Sequence, residues 1–144
     1  RAEGRSFALR LDMARAVEAT GPLFWEDERA GLIAAAALAH GDVVLARKDA
    51  PTSYHLAVTV DDALQGVTLV TRGEDLFRAT DVQRVLQALL GLPTPRYRHH
   101  RLLVDDKGRR FAKRDKSLTI AALRNDGRSP ADVRRLAAEA EATG

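Results

Sequence analysis

Short apolar runs separated by turn residues predict several strands along this chain. Apolar side chains occupy every second position from Phe7 to Leu11, which predicts a half-buried strand. Further strands are predicted at Asp42 to Ala46 and at Val67 to Thr71. Leu23 to Trp25 is a second short apolar run, which follows a turn at Gly21-Pro22. The run from Tyr54 to Val60 remains ambiguous, because its β-propensity favours a strand while its apolar residues also share a helical face.

The most regular helical pattern lies in the middle of the chain. Apolar residues recur at spacings of three and four from Val82 to Leu90, which predicts an amphipathic helix. Thr80 and Gln83 have the spacing of a capping box at its start. Gly91 is expected to end the helix, and Pro93 prevents its continuation.

Other segments are less regular. The alanine-rich run Ala30 to Ala39 has high helix propensity, so a helix is predicted there despite Gly31. Arg101 to Val104 predicts a short buried strand, followed by a turn at Asp105 to Gly108. A helical pattern begins at Leu118 to Leu123, and Ser129-Pro130-Ala131-Asp132 predicts the capped start of a final helix.

Together these elements predict an α/β protein. A strand, a polar tip and an amphipathic helix follow one another from Val67 to Leu90. In such units ligands bind at the carboxyl ends of the strands. Arg72 and Glu74 are expected at such an end.

Length and composition narrow the class of protein. The 144 residues suffice for one ordinary core, and 45% hydrophobic with 30% charged residues is typical of a folded domain. No apolar run approaches the roughly 20 residues of a membrane helix, and no secretory signal pattern is present. The absence of cysteine excludes thiolate metal sites and fits a cytoplasmic protein. The chain begins with Arg1 rather than methionine, which suggests part of a longer protein.

The charge is distributed unevenly. Residues 96–135 contain 13 Lys or Arg against 5 Asp or Glu, whereas the rest of the chain is net acidic. A basic segment beside an acidic one indicates a polyanionic partner, although solubilising surface charge explains the composition equally well.

Several residues are candidates for chemistry on residue type alone, and each has a plain structural alternative. Arg110 to Arg114 form a cationic loop suited to phosphate, or simply a solvated turn. Arg72 suits a carboxylate ligand, or an ion pair with Glu74 or Asp75. His99-His100 favour packing or surface roles over contacts with nucleotide or RNA, because no third ligand lies at metal spacing. Asp61-Asp62 are interpreted as structural.

A family resemblance rests on four segments in order. These are Asp42 to Asp49 (DVVLARKD), Pro51 to Asp62 (PTSYHLAVTVDD), Gln65 to Asp75 (QGVTLVTRGED) and Arg110 to Arg114 (RFAKR). The chain, from Phe7 to about Leu136, resembles the second half of the catalytic domain of class I glutamyl-tRNA synthetases. Among these it is most similar to the glutamyl-queuosine tRNA(Asp) synthetases, which are shorter paralogues.

The resemblance implies a fold and a reaction. The fold would be the C-terminal half of a Rossmann-like catalytic domain, with a preceding insert remnant, over residues 1–95. Residues 96–144 would form the basic signature-loop region and a short helical tail. The implied enzyme is an ATP-dependent ligase, using Mg²⁺, that forms glutamyl-adenylate and transfers glutamate to the queuosine base of tRNA(Asp). The implied partners are L-glutamate, ATP and tRNA(Asp), with no membrane and a monomeric state.

The same resemblance implies site residues. Tyr54 and Arg72 match the two positions that contact glutamate in this half of the enzyme. The segment Arg110, Phe111, Ala112, Lys113 and Arg114 matches the Lys-Met-Ser-Lys-Ser signature loop. Lys113 falls on the second lysine, which meets ATP and stabilises the departing pyrophosphate. Arg110 keeps the charge of the first lysine, whereas Ala112 lacks the hydroxyl of the serine.

Parts of the family pattern are missing from this sequence. The His-Ile-Gly-His signature, which binds ATP, does not occur, and neither does the cysteine-containing zinc site of many paralogues. Zinc would therefore belong to an N-terminal half, and no metal site is expected in this chain. We expect the isolated chain to be inactive in glutamate-dependent ATP–pyrophosphate exchange. The alternatives are a glutamyl-tRNA synthetase that charges tRNA(Glu) and a non-catalytic RNA-binding fragment.

Overall fold

A computed structural model describes residues 7–102 and 119–142. The chain divides into two units, Arg1–His100 and Arg101–Gly144. The first unit contains six strands and three α-helices within its described residues. The bounds of these elements are β1 Leu9–Leu11, α1 Met13–Thr20, β2 Phe24–Asp27, β3 Gly31–Ala34, β4 Val43–Ala46, α2 Tyr54–Leu64, β5 Leu69–Gly73, α3 Ala79–Leu90 and β6 Arg96–His100.

The six strands form two sheets. The larger sheet has the order β3-β2-β6-β5, with β6 parallel to both of its neighbours and β3 antiparallel to β2. The smaller sheet is the antiparallel pair β1 and β4. The protein is therefore α/β, as predicted, and its larger sheet is parallel across β2, β6 and β5 with one antiparallel edge strand.

The core lies where α1, α3 and a short 3₁₀ helix at Ala37–His40 meet. Its buried apolar members are Met13, Ala16, Ala37, Val82, Val85 and Leu86. The helix α1, which the sequence pattern did not predict, begins where the Asp12 carboxylate accepts the Arg15 amide at 3.0 Å. The predicted end of α3 at Gly91 is confirmed, with a left-handed φ of 64°.

Two predictions are wrong in this unit. The run Ala30 to Ala39 is not one helix, because Gly31–Ala34 pairs with β2 as a strand and pairing overrides propensity. Thr80 does not cap α3; it lies inside the helix, fully buried. The strand β6 was not predicted. The strand predicted at Arg101 to Val104 lies half outside the described residues, which end at Leu102 in this part of the chain.

The ambiguous segment at Tyr54 is a helix. Ser53 precedes α2, and its hydroxyl accepts the Leu56 amide at 3.4 Å. This cap removes one unsatisfied donor of the first turn. It therefore fixes Tyr54 as the first residue of the helix.

The second unit contains two described helices, α4 Ile120–Asn125 and α5 Pro130–Ala142. The predicted start of α5 is confirmed, because Ser129 and Asp132 bond reciprocally. The Ser129 hydroxyl accepts the Asp132 amide at 3.2 Å, and the Asp132 carboxylate accepts the Ser129 amide at 3.0 Å. Hydrogen bonds from Ser129, followed by one from Arg135, lower the pKa of Asp132 to about 2.

A buried polar contact ties the sheet to α3 and supports a stability prediction. The Trp25 indole donates to the Asp81 carboxylate at 2.9 Å, and both side chains are fully buried. Trp25→Phe removes this donor, so we expect the free energy of unfolding to fall by about 1–3 kcal/mol. Trp25 is the sole tryptophan, so the variant has no tryptophan fluorescence with which to follow unfolding. Unfolding in urea is therefore measured by far-UV circular dichroism. Phe24→Leu, at a half-exposed neighbour, is the control and should change stability by less than about 0.5 kcal/mol.

Candidate functional site

Arg72 lies near the carboxyl end of β5, as the second-last residue of a strand that ends at Gly73. In the parallel pairing of β5 with β6 it stands opposite His99. The strand runs two residues further than the pattern predicted. Arg72 is therefore held by backbone pairing rather than placed on the loop that follows.

The guanidinium of Arg72 has three neutral partners. Its Nε donates to His99 Nε2 at 3.1 Å, and one Nη2 hydrogen is donated to Thr80 Oγ1 at 2.6 Å. The guanidinium carbon lies 5.2 Å from the centre of the Tyr97 ring. Among the ion pairs of the described residues, no carboxylate pairs with Arg72. The alternative pairing with Glu74 or Asp75 is not seen among them.

His99 is fixed in one tautomer by these contacts. Arginine only donates hydrogen bonds, so Nε2 of His99 must accept from Arg72, and the ring proton must lie on Nδ1. That nitrogen is 2.7 Å from Asp27 Oδ2 and donates to it. Burial, followed by the charge of Arg72, lowers the pKa of His99 despite the nearby carboxylate. The ring is therefore neutral at pH 7.

Asp27 anchors the other end of this chain of contacts. Its Oδ1 accepts the amides of Arg29 and Ala30, each at 2.9 Å. Its Oδ2 accepts the amide of His99 at 3.1 Å in addition to the imidazole. Burial on its own raises the pKa of Asp27, but the hydrogen bonds from His99, Ala30 and Arg29 outweigh it, and the net shift is downward. The buried carboxylate is therefore ionised.

Helix α2 contributes charge near Arg72. Burial raises the pKa of Asp62, and the charge of Arg72 opposes this rise. Burial also lowers the pKa of His55, with further lowering by His40 and Arg72. His55 and Asp62 lie seven residues apart, two helical turns, and therefore share one face of α2.

Tyr54 lies at a cavity. Its side chain is 51% exposed, so it is not part of the core. Tyr54 and His55 both line an open cavity of about 940 Å³. The remaining lining residues are Ala8, Val43, Val44, Arg47, Lys48, Asp49, Ala50, Thr52 and Ser53. Arg72 does not line this cavity. His55 does, and the charge of Arg72 contributes to lowering the pKa of His55, so Arg72 lies near the cavity residue His55.

The signature-loop residues Arg110, Phe111, Ala112, Lys113 and Arg114 lie outside the described residues. Of the other candidates, His99 is buried, at 5% exposure, and Asp61 is exposed on α2. Within residues 7–102 and 119–142, no three His, Asp or Glu side chains are grouped to hold a metal ion. No described helix is long and apolar enough to cross a bilayer.

Sequence reasoning missed Asp27 and Thr80 and undervalued His99. The signal for His99 was present in the alternation of β6, where Tyr97 and His99 are buried between exposed Arg96, Arg98 and His100. The adjacent apolar residues after His100 concealed it. Asp27 offered no comparable signal, because its partner is 72 positions away.

Arg72 thus lies near the carboxyl end of a strand in the parallel part of the sheet, which is where α/β proteins bind their ligands. The chain matches, over residues 1–138, the family described as tRNA synthetases class I (E and Q), catalytic domain, and it belongs to that family.

Within this family, the chain is similar to curated proteins that share one name. The chain is 53% identical over 133 residues to the glutamyl-Q tRNA(Asp) synthetase of Rhodobacter capsulatus, covering 89% of this chain and 47% of the relative. It is 43% identical over 131 residues to the protein of the same name from Nitratidesulfovibrio vulgaris, covering 91% and 39%. The chain thus spans less than half the length of these relatives.

Among solved structures, the chain is similar to a glutamate tRNA ligase from Elizabethkingia meningosepticum in complex with its amino acid. The TM-score is 0.57 at 26% identity, with 67% of this chain and 19% of the other chain covered. This similarity supports the assignment of the fold to a synthetase catalytic domain.

Proposed function

We propose that the full-length protein activates glutamate with ATP and transfers it to the queuosine base of tRNA(Asp). In the first step a glutamate carboxylate oxygen attacks the α-phosphorus of ATP, and pyrophosphate leaves as glutamyl-adenylate forms. In the second step the queuosine base takes the glutamyl group, and AMP leaves. The similarity to glutamyl-Q tRNA(Asp) synthetases at up to 53% identity supports this acceptor.

The observation that carries the proposal is the state of Arg72. The guanidinium is partly buried, its hydrogen-bond partners His99 and Thr80 are both neutral, and Asp62 acts on it through its charge without a direct ion pair. A buried cation in such surroundings is stabilised when an anion binds it directly. His99 and Thr80 occupy the edge of the guanidinium formed by Nε and Nη2. Its other edge, with Nη1 and the second Nη2 hydrogen, has the fork geometry that holds a carboxylate through two parallel bonds. We assign this edge to a carboxylate of glutamate.

The other assigned residues follow the resemblance. Tyr54, exposed at the cavity mouth, would orient glutamate through its hydroxyl. Lys113 would neutralise charge on the leaving pyrophosphate. Mg²⁺ would accompany ATP, as the family implies; within the described part of the chain no three His, Asp or Glu side chains are grouped to hold it. The proposed monomeric state and cytoplasmic location rest on the resemblance alone.

The decisive experiment separates the possible acceptors. The full-length protein is incubated with ATP, radiolabelled glutamate and three RNA pools: tRNA(Asp) with queuosine, tRNA(Asp) without it, and tRNA(Glu). We expect label only in queuosine-containing tRNA(Asp). Label on tRNA(Glu) would instead establish the glutamyl-tRNA synthetase reaction. RNA binding without any glutamate-dependent pyrophosphate exchange would establish a binding module.

A further inference from the structure

His99 is more tightly constrained than a core residue of the sheet requires. Its ring stacks on Tyr97, with an interplanar angle of 12° and a centroid distance of 6.0 Å. Phe77 and Trp25 meet it edge-on, at centroid distances of 4.9 and 5.8 Å. A half-turn of the imidazole about Cβ–Cγ would place carbon in the positions of both nitrogens, and so at both polar contacts. The ring can satisfy Asp27 and Arg72 only in its present orientation.

The proton on this ring has a defined position. Asp27 is an anionic acceptor beside Nδ1, and Arg72 is a cationic donor beside Nε2. Only the neutral tautomer with Nδ1–H satisfies both. Either the other neutral tautomer or the imidazolium would point an N–H at the Arg72 Nε–H, which only donates. The orientation of the guanidinium therefore depends on the protonation state of His99.

We propose that His99, held by Asp27, is a positioning residue that orients the Arg72 guanidinium for the substrate carboxylate. This inference rests on the proposed role of Arg72 in binding glutamate. Thr80 fixes the Nη2 side of the guanidinium and His99 fixes the Nε side. With both held, the free edge of the fork points in one direction before substrate arrives, which lowers the ordering cost of binding.

Two substitutions separate the two contacts of His99, the one with Asp27 and the one with Arg72. His99→Asn places an amide near the position of Nδ1, so it keeps a donor for Asp27 but cannot reach Arg72. His99→Gln places an amide oxygen near the position of Nε2, so it keeps an acceptor for Arg72. In the full-length protein, steady-state pyrophosphate exchange gives the KM for glutamate and the KM for ATP of each variant.

We expect His99→Asn to raise the KM for glutamate about 10- to 100-fold, the effect of one lost hydrogen bond to a charged group. The KM for ATP should change by less than about twofold, since the ATP site does not involve this hydrogen bond. His99→Gln should restore the KM for glutamate to within about threefold of wild type, because it keeps the acceptor toward Arg72. Equal increases in both variants, or parallel increases in both KM values, would show that His99 only packs.

The pH dependence supplies a readout that packing would not give. The charged groups around the ring are Asp27 from β2, Arg72 from β5 and His100 on its own strand; from α3 it meets the uncharged Thr80. The wild-type KM for glutamate should be constant above about pH 6.5, the ordinary pKa of histidine, and should rise as the pH falls and His99 becomes protonated. The KM of His99→Gln should not rise in that range. A rise of the same size in His99→Gln would contradict the proposal.

One measurement needs no variant. Imidazole ¹⁵N NMR of the wild-type protein should show His99 protonated at Nδ1 and unprotonated at Nε2, and the opposite tautomer would overturn the proposal. Arg72→Ala keeps the two hypotheses apart. If that variant activates glutamate normally, the proposed function of Arg72 fails. If it does not, while His99→Asn behaves as wild type, only the positioning role fails.

Discussion

Arg72→Ala in the full-length protein is expected to lower kcat/KM for glutamate in pyrophosphate exchange by at least about 100-fold. The variant removes two charge-assisted bonds to a carboxylate, each worth about 1.5–3 kcal/mol. The affinity for tRNA should be unchanged, because the predicted role of Arg72 is confined to the amino acid. Exchange kinetics and a filter-binding assay with tRNA(Asp) measure the two quantities separately.

The structure provides a matched control for this variant. Arg98 lies on β6 next to His99 in sequence, but its side chain is exposed on the alternate position of the strand. Arg98→Ala removes the same charge and should leave kcat/KM for glutamate within about twofold of wild type, as expected for a surface substitution. Arg72→Lys keeps the charge but loses the fork, so its activity should remain well below that of wild type. Normal glutamate activation by Arg72→Ala would remove the site assignment.

The elements that sequence analysis predicted correctly are those that a local pattern of apolar residues identifies. Alternation identified β1, and a β-branched run identified β4. The amphipathic period identified α3, since Val82, Val85 and Leu86 all face the core. The match is partial, because Leu9 of β1 and Leu89 and Leu90 of α3 belong to these patterns and are nevertheless exposed.

The errors arise where distant residues decide the local structure. Ala30 to Ala39 has helix propensity, yet Gly31–Ala34 completes the sheet edge beside β2. In β6 the buried positions are Tyr97 and His99, so a strand with polar and aromatic burial was overlooked in favour of the apolar residues after it. Threonine is a common helix N-cap residue, but the hydroxyl of Thr80 instead accepts a hydrogen bond from Arg72.

In the candidate site, too, local sequence indicates some residues and distant contacts decide the others. Tyr54 and Arg72 were assigned through a resemblance that extends over several short segments. Nothing in those segments indicates that Asp27, 72 residues from His99, sets the tautomer that holds Arg72. The chain of hydrogen bonds from Asp27 through His99 to Arg72 depends on which strands become neighbours in the sheet. The sheet order β2-β6-β5 places Asp27, His99 and Arg72 on three strands that are adjacent in space, although β2 is far from the other two in sequence.

Lys113→Ala in the full-length protein is expected to lower the rate of glutamyl-adenylate formation about 100- to 1000-fold. The lysine is proposed to meet charge that develops on the departing pyrophosphate, and a donor that acts mainly in the transition state affects kcat more than binding. The KM for glutamate should therefore change little, in contrast to Arg72→Ala. Single-turnover formation of the adenylate, measured by rapid quench, gives this rate directly.

Lys116→Ala is the matched control, since it removes a lysine three positions further along the same basic segment. It should retain adenylate formation within about twofold of wild type, as expected for a charge outside the transition-state contacts. If Lys113 only contacts RNA phosphate, the effect of its substitution would appear instead as weaker tRNA binding with a salt slope smaller by about one. Adenylate formation without tRNA would then be normal. The two outcomes separate a role in ATP chemistry from a role in RNA binding, because the first step of the proposed reaction consumes no RNA.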